Sequence, residues 1–174
     1  MDSTADVLVS RSSDAVTWSP ALRVDSTDAG RVGCERPAPA IAADRGNVFI
    51  VYAMTAREGP GIFASHSMDR GMMFHSPVAV VYGERIGLAA VAARGDMVAV
   101  VYEDPNTLPR RISLALSRTM GHLFQHRMTV SPNTGQPARS PGVALGDGKV
   151  AVTWTRGAST DASAPRVVRL GEVR

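Results

Sequence analysis

Cysteine occurs once in the 174 residues, at Cys34, so no internal disulfide can form and a zinc site built on cysteine clusters is excluded. Lysine is as scarce: every one of the 19 basic residues except Lys149 is arginine. No apolar run approaches 18 residues, so no helical membrane span is expected. The opening stretch MDSTADVLVSRS is acidic and lacks a basic start followed by an apolar core. It does not read as a signal peptide, and a soluble chain of open cellular address is expected. Apolar residues at the helical period are missing throughout. The basic residues are scattered rather than gathered in a stripe with aromatics between them, which argues against a nucleic-acid partner.

What the chain does contain is Gly (16), Pro (11) and an apolar set dominated by Val and Ala. That composition suits many short strands joined by tight turns. Apolar residues at 44% against 20% charged place it among globular chains, and the length allows one domain with a core. The net charge of +3 is carried by arginine, whose planar fork matches carboxylate and phosphate.

A repeat organises the sequence. SMDRGMMF, Ser67 to Phe74, returns as SRTMGHLF, Ser117 to Phe124, which keeps Ser, Gly and Phe. It returns in shortened form as SSDAVTW, Ser12 to Trp18, which keeps Ser, Asp and an aromatic but lacks Gly. A strand-like run precedes each turn (DVLVSRS, GIFASHS, RISLALS) and another follows it (SPALRV, HSPVAVV, QHRMTV). A second register aligns from Ile41, Val91 and Val143, each reaching an aromatic eleven residues on, at Tyr52, Tyr102 and Trp154. Each of these copies reads as a short strand, a Gly- and Asp-containing turn, and an alternating strand.

A unit of about fifty residues with four strands, a to d from the centre outward, is the size of one β-propeller blade. The blade parts fall at 1–25, 36–80, 86–130 and 139–174 of a single domain spanning 1–174. The chain enters at strand c, passes through two whole blades and reaches strands a, b and c of a fourth, about 3.5 blades in all. A closed ring needs four to eight. The expectation is a fragment, or a half-ring closed by a second chain as a homo-oligomer, with closure as a small four-bladed ring the less favoured outcome.

On the c–d hairpin of such a blade, SMDRGMMF resembles the Asp-box of the sialidase superfamily, the BNR-repeat propellers, whose form is S-x-D-x-G-x-T-W/F. Met73 replaces the Thr, and Thr119 stands where Asp69 does. The resemblance covers essentially the whole chain and implies an all-β fold of sialidase-like blades. It also implies structural rather than catalytic roles for Ser12, Asp14, Trp18, Ser67, Asp69, Gly71, Phe74, Ser117, Gly121 and Phe124. The Ser and Asp clasp the turn, the Gly takes a conformation closed to other residues, and the aromatic packs between sheets.

The resemblance further implies a carboxylate-binding mouth formed by three arginines. The d–a segments GCERPAP, YGERIGL and PARSPGV carry Arg36, Arg85 and Arg139 at nearly the same point of the repeat. The plainer alternative is that each Arg pairs with the adjacent Glu35 or Glu84 and braces the blade. A retaining sialidase also needs a Tyr nucleophile, a Glu to activate it and an Asp acid/base. Glu58, Glu103, Asp104, Asp161 and Tyr82 beside Glu84 are the loop candidates, and none stands in a family motif. Tyr52 and Tyr102 read as core, Glu103-Asp104 as a solvated loop pair, and TRGASTDASAP (155–165) as a lid or slack loop. His66, His75, His122 and His126 gather around the turns, but at a strand spacing no metal is expected, and no cofactor either. Two readings result: a propeller module that binds a glycan or other acidic ligand without catalysis, or a sialidase-like glycoside hydrolase.

Overall fold

Left-handed residues in the a–b turns set the hairpins. Arg45 (φ 51°) and Gly46 (φ 92°) join β3 (Ala40–Asp44) to β4 (Asn47–Ala56). Gly95 (φ 57°) begins the turn from β7 (Ala89–Arg94) to β8 (Met97–Glu103), and Asp147 and Gly148 link β11 (Ala138–Gly146) to β12 (Lys149–Arg156). Positive φ in a two-residue loop matches the right-handed twist of the flanking strands, which is why Gly and Asp recur there. The computed structural model describes residues 6–28, 36–157 and 165–173, and these hold thirteen strands and no helix. With no helix, no segment among the described residues is both helical and long and apolar enough to cross a membrane.

The remaining strands are β1 (Leu8–Val9), β2 (Leu22–Arg23), β5 (Gly59–Ser67), β6 (Val78–Tyr82), β9 (Ile112–Ser117), β10 (His126–Thr129) and β13 (Arg166–Glu172). They form four antiparallel sheets, in the orders β1-β2, β3-β4-β5-β6, β7-β8-β9-β10 and β11-β12-β13. The fold is all-β and built from propeller blades, with β3, β7 and β11 as strands a and β4, β8 and β12 as strands b. Three apolar clusters fill the gaps between successive sheets. Val24 joins Ile50, Tyr52 and Phe63 across the first gap, Phe49 and Val51 meet Val98 and Val100 across the second, and Val101 and Leu114 meet Val152 and Trp154 across the third. Because both faces of the middle sheets are covered, β5 and β9 read as buried runs rather than alternating ones. Tyr52 and Tyr102 lie in these cores, as their strand positions suggest.

The c–d turns are held by side-chain clasps. Ser67 Oγ donates to Asp69 Oδ1 (2.6 Å) and accepts from Gly71 N (2.8 Å), while the amides of Met72 and Met73 donate to Asp69 Oδ1. The Ser67 hydroxyl and these amides hold the Asp69 carboxyl below its ordinary range. In the shortened turn the carboxylate of Asp14 takes the amides of Thr17 and Val16 and the Ser12 hydroxyl, which depress it more strongly. Ala15, Arg70 and Met120 hold the same left-handed place in the three turns (φ 59°, 62° and 53°). The missing residue is therefore absorbed after that point, where Val16 replaces the glycine. In the third turn Ser117 Oγ accepts from Gly121 N (3.0 Å) and meets Thr119 Oγ1, so the serine half survives without the carboxylate.

One expectation fails here. Trp18 does not pack between sheets: it is 61% exposed, whereas Phe124 is 2% exposed and Phe74 half-buried. Phe124 inserts between its own sheet and the preceding one, and Phe74 does the same one sheet earlier. Trp18 belongs to the first described sheet, which has no preceding sheet among the described residues.

Candidate functional site

Antiparallel order puts the a–b and c–d turns at one end of every sheet and the b–c and d–a connections at the other. At that second end, Arg36, Gly87, Glu103, Arg110, Arg139 and Ser140 surround a cavity of about 360 Å³. Arg36 precedes β3, Gly87 lies between β6 and β7, Glu103 ends β8, Arg110 precedes β9, and Arg139 and Ser140 open β11.

Two of the three guanidinium groups are already paired. Arg36 Nη1 bonds Asp28 Oδ2, and Nη2 reaches Asp28 Oδ1 at 3.2 Å; Asp28 in turn accepts from Thr55 N. Arg110 Nη1 donates to Glu103 Oε2 at 2.8 Å. Glu103 is buried, and its other oxygen accepts from Ser140 N at 3.0 Å. Arg139 differs: its Nε is buried and has no hydrogen-bond partner among the described residues. A register shift between Arg139 and Gly142, with Ser140 at φ 53°, bends β11 where Arg139 leaves it. Bulges of this kind re-aim a side chain at the rim of a sheet. The cavity thus holds two guanidinium groups fixed by carboxylates and a third, Arg139, whose charge has no ion-pair partner among the described residues.

Arg85 is not part of this group. Its side chain donates to Pro105 O (3.0 Å) and makes no ion pair with Glu84, and Arg110 occupies the middle position instead. Expecting Glu103-Asp104 to be a solvated pair is corrected too. Glu103 is the brace of the cavity, and Asp104 accepts from Ser113 Oγ (2.8 Å). Among the other candidates, Glu58 and Glu84 are exposed, and Tyr82 packs edge-on against Phe63 away from the cavity. Glu35, Asp161 and most of 155–165 lie outside the described residues.

Neither buried tyrosine is prepared as a nucleophile. Burial, then the Asp25 charge, pushes the Tyr52 phenol upward, and burial with Asp104 pushes Tyr102 up to about 12. A nucleophilic phenol needs a shift in the other direction. At the opposite end of the sheets, His66, His75 and His122 come together. His75 stacks on His66 at 4.4 Å and His122 meets it edge-on at 4.3 Å. Among the described residues no group of His, Cys, Asp or Glu has the arrangement to hold a metal ion.

No protein-family model matches the chain, and no curated protein matches it. Solved structures do. A Hadza microbial sialidase superposes with a TM-score of 0.66 at 18% identity, covering 95% of this chain and 38% of its own. The fold is that of sialidase-like propeller blades. An α-L-arabinofuranosidase from Fusarium graminearum, solved with an iminosugar inhibitor, matches at TM-score 0.60 and 16% identity, covering 94% of this chain and 54% of that one. GH43B of the Bacteroides ovatus xyloglucan PUL matches at 0.55 and 14%, over 94% and 33%. The chain therefore spans well under two thirds of the length of these sialidase-like and related propellers.

Proposed function

We propose that this chain is a sugar-binding propeller module that takes a carboxylate-bearing glycan, without hydrolysing it, in the cavity of Arg36, Arg110 and Arg139. The observation that carries the reading is Arg139. Its Nε is buried beside two neutralised arginines and has no partner among the described residues. A buried donor without an acceptor costs about 1–3 kcal/mol, which favours a shift of the Arg139 side chain that brings its N–H to a carboxylate in the cavity. Arg36 and Arg110 supply further N–H groups, held in place by Asp28 and Glu103. The likeness to a sialidase and an arabinofuranosidase supports a saccharide as the ligand class.

Catalysis is left out of the reading because burial pushes the phenols of Tyr52 and Tyr102 up, the direction opposite to what a nucleophile needs. Glu103, the buried carboxylate there, is fully engaged by Arg110 and Ser140. Calorimetric titration with N-acetylneuraminate against a neutral hexose tests the ligand class, and a fluorogenic sialoside tests turnover. The expected result is binding of the acidic sugar alone, lost in Arg139→Ala, kept in Arg85→Ala, and no release of fluorophore. Equal binding of both sugars defeats the carboxylate assignment. Fluorophore release above the buffer rate, abolished by Glu103→Gln, establishes the glycoside hydrolase reading instead.

A further inference from the structure

Among the described residues, Glu103 is the one carboxylate that lines the arginine cavity. It ends β8, is 3% exposed, and has both oxygens taken: Oε2 accepts from Arg110 Nη1 at 2.8 Å and Oε1 from Ser140 N at 3.0 Å. Arg110 is also held from its other side, because its Nη2 donates to Arg85 O at 3.1 Å. The backbone of Gly87 lies so close that a Cβ there would collide with Glu103 Oε2 and Arg110 Nη1. The chain therefore leaves a side chain out at residue 87, and the space this opens is filled by the Glu103–Arg110 pair.

The pair changes what the cavity can accept. Asp28 holds Arg36, Glu103 holds Arg110, and Arg139 has no ion-pair partner among the described residues. We propose that Glu103 is the specificity-determining residue of this site. By neutralising Arg110 from inside the cavity it limits the ligand to one negative charge, so a monocarboxylate sugar enters and a dianionic phosphate or phosphonate is turned away. The inference rests on the carboxylate reading of the same cavity and adds the charge of the ligand to it. A second negative charge on a ligand faces the Glu103 carboxylate instead of a free guanidinium, and like charges at short range disfavour that ligand. An arginine fork matches phosphate as well as carboxylate, so the arginines do not separate the two classes. The resident carboxylate does.

N-acetylneuraminate and its analogue with a phosphonate in place of the carboxylate carry one and two negative charges on the same ring in mildly alkaline buffer. Calorimetric titration gives their affinity ratio for each protein, and comparing ratios between variants cancels the difference in shape between the two groups. The wild type is expected to favour the carboxylate. Glu103→Gln keeps the side-chain shape and an amide oxygen for Ser140 N but frees the Arg110 charge. The ratio should then move toward the phosphonate by roughly tenfold or more, the effect of one charged hydrogen bond. Glu103→Gln combined with Arg110→Gln removes the pair whole, which a buried site tolerates better than the loss of one partner, and should return the ratio to that of the wild type. A wild type that prefers the phosphonate overturns the proposal. So does a ratio unmoved by Glu103→Gln, or a shift that persists in the combined variant. A wild type that binds neither compound removes the carboxylate site itself, and this selectivity with it.

Discussion

Acid should loosen the junction between the two complete blades, and His66 is where the effect is measurable. The ring is 2% exposed, its Nε2 has no partner among the described residues, and Phe49, His75 and His122 surround it with no carboxylate in the ring contacts. Burial, then the neighbouring His122 and His75, lowers its pKa from 6.5 to about 4. The folded pKa lies below the unfolded one, so the unfolded chain takes up the proton first. The stability this group contributes is complete above pH 6.5 and is lost as pH falls toward 4. Titration of a 2.5-unit shift is worth at most about 3 kcal/mol, and roughly 2 of that is spent by pH 4.5. His75 and His122 are themselves exposed, so water reaches the edge of the cluster and about 1–2 kcal/mol is the expected loss. His66→Phe keeps a flat ring without a titrating group. Urea unfolding of both proteins at pH 7 and pH 4.5 isolates the difference, because the turn carboxylates Asp14 and Asp69 are common to the two. If the variant loses as much stability as the wild type across that interval, His66 does not titrate in this window and the reasoning is wrong.

Three further outcomes follow from the packing. Phe124→Ala empties a fully covered position between blades and should cost about 3–5 kcal/mol by denaturant titration. Phe74→Ala should cost less, and Trp18→Ala almost nothing. Gly87→Ala should weaken acidic-sugar binding without unfolding the chain, because a methyl group there collides with Glu103 Oε2 and Arg110 Nη1; calorimetry of the variant checks it. Asp69→Ala removes the acceptor of two turn amides and should lower the thermal midpoint by less than Phe124→Ala does. The corresponding Thr119→Ala change should be milder still, since that turn rests on Ser117.

The blades were readable in the sequence because every copy solves the same local problem with the same residues. Positive φ at one or both turn residues closes each a–b hairpin, a serine hydroxyl accepts backbone amides in the c–d turns, and each strand b carries an aromatic at the same register position. These are short-range constraints, so spacing alone exposes them. The arginine cavity was only half readable. Arg36 and Arg139 precede or open strands a, where the sheet fixes their direction, and the repeat found both. Arg85 shares their place in the alignment but sits in a segment whose exit angle is set by Pro105 and Asn106 of the neighbouring loop, and Pro105 O captures it. Arg110 lies in a b–c connection whose length changes from sheet to sheet, 57–58 in one, 104–111 here and 157–165 in the last, so no repeat position marks it. The available signal was the acidic pair Glu103-Asp104 facing Arg110-Arg111 across one loop. Opposite charges closing a loop at the buried end of a strand indicate a brace, because a carboxylate sealed there needs its counter-ion nearby. Trp18 makes the same point from the other side. An aromatic kept in register by the repeat is buried where a preceding sheet receives it, so the local code specifies where it points and the neighbour decides whether it is core.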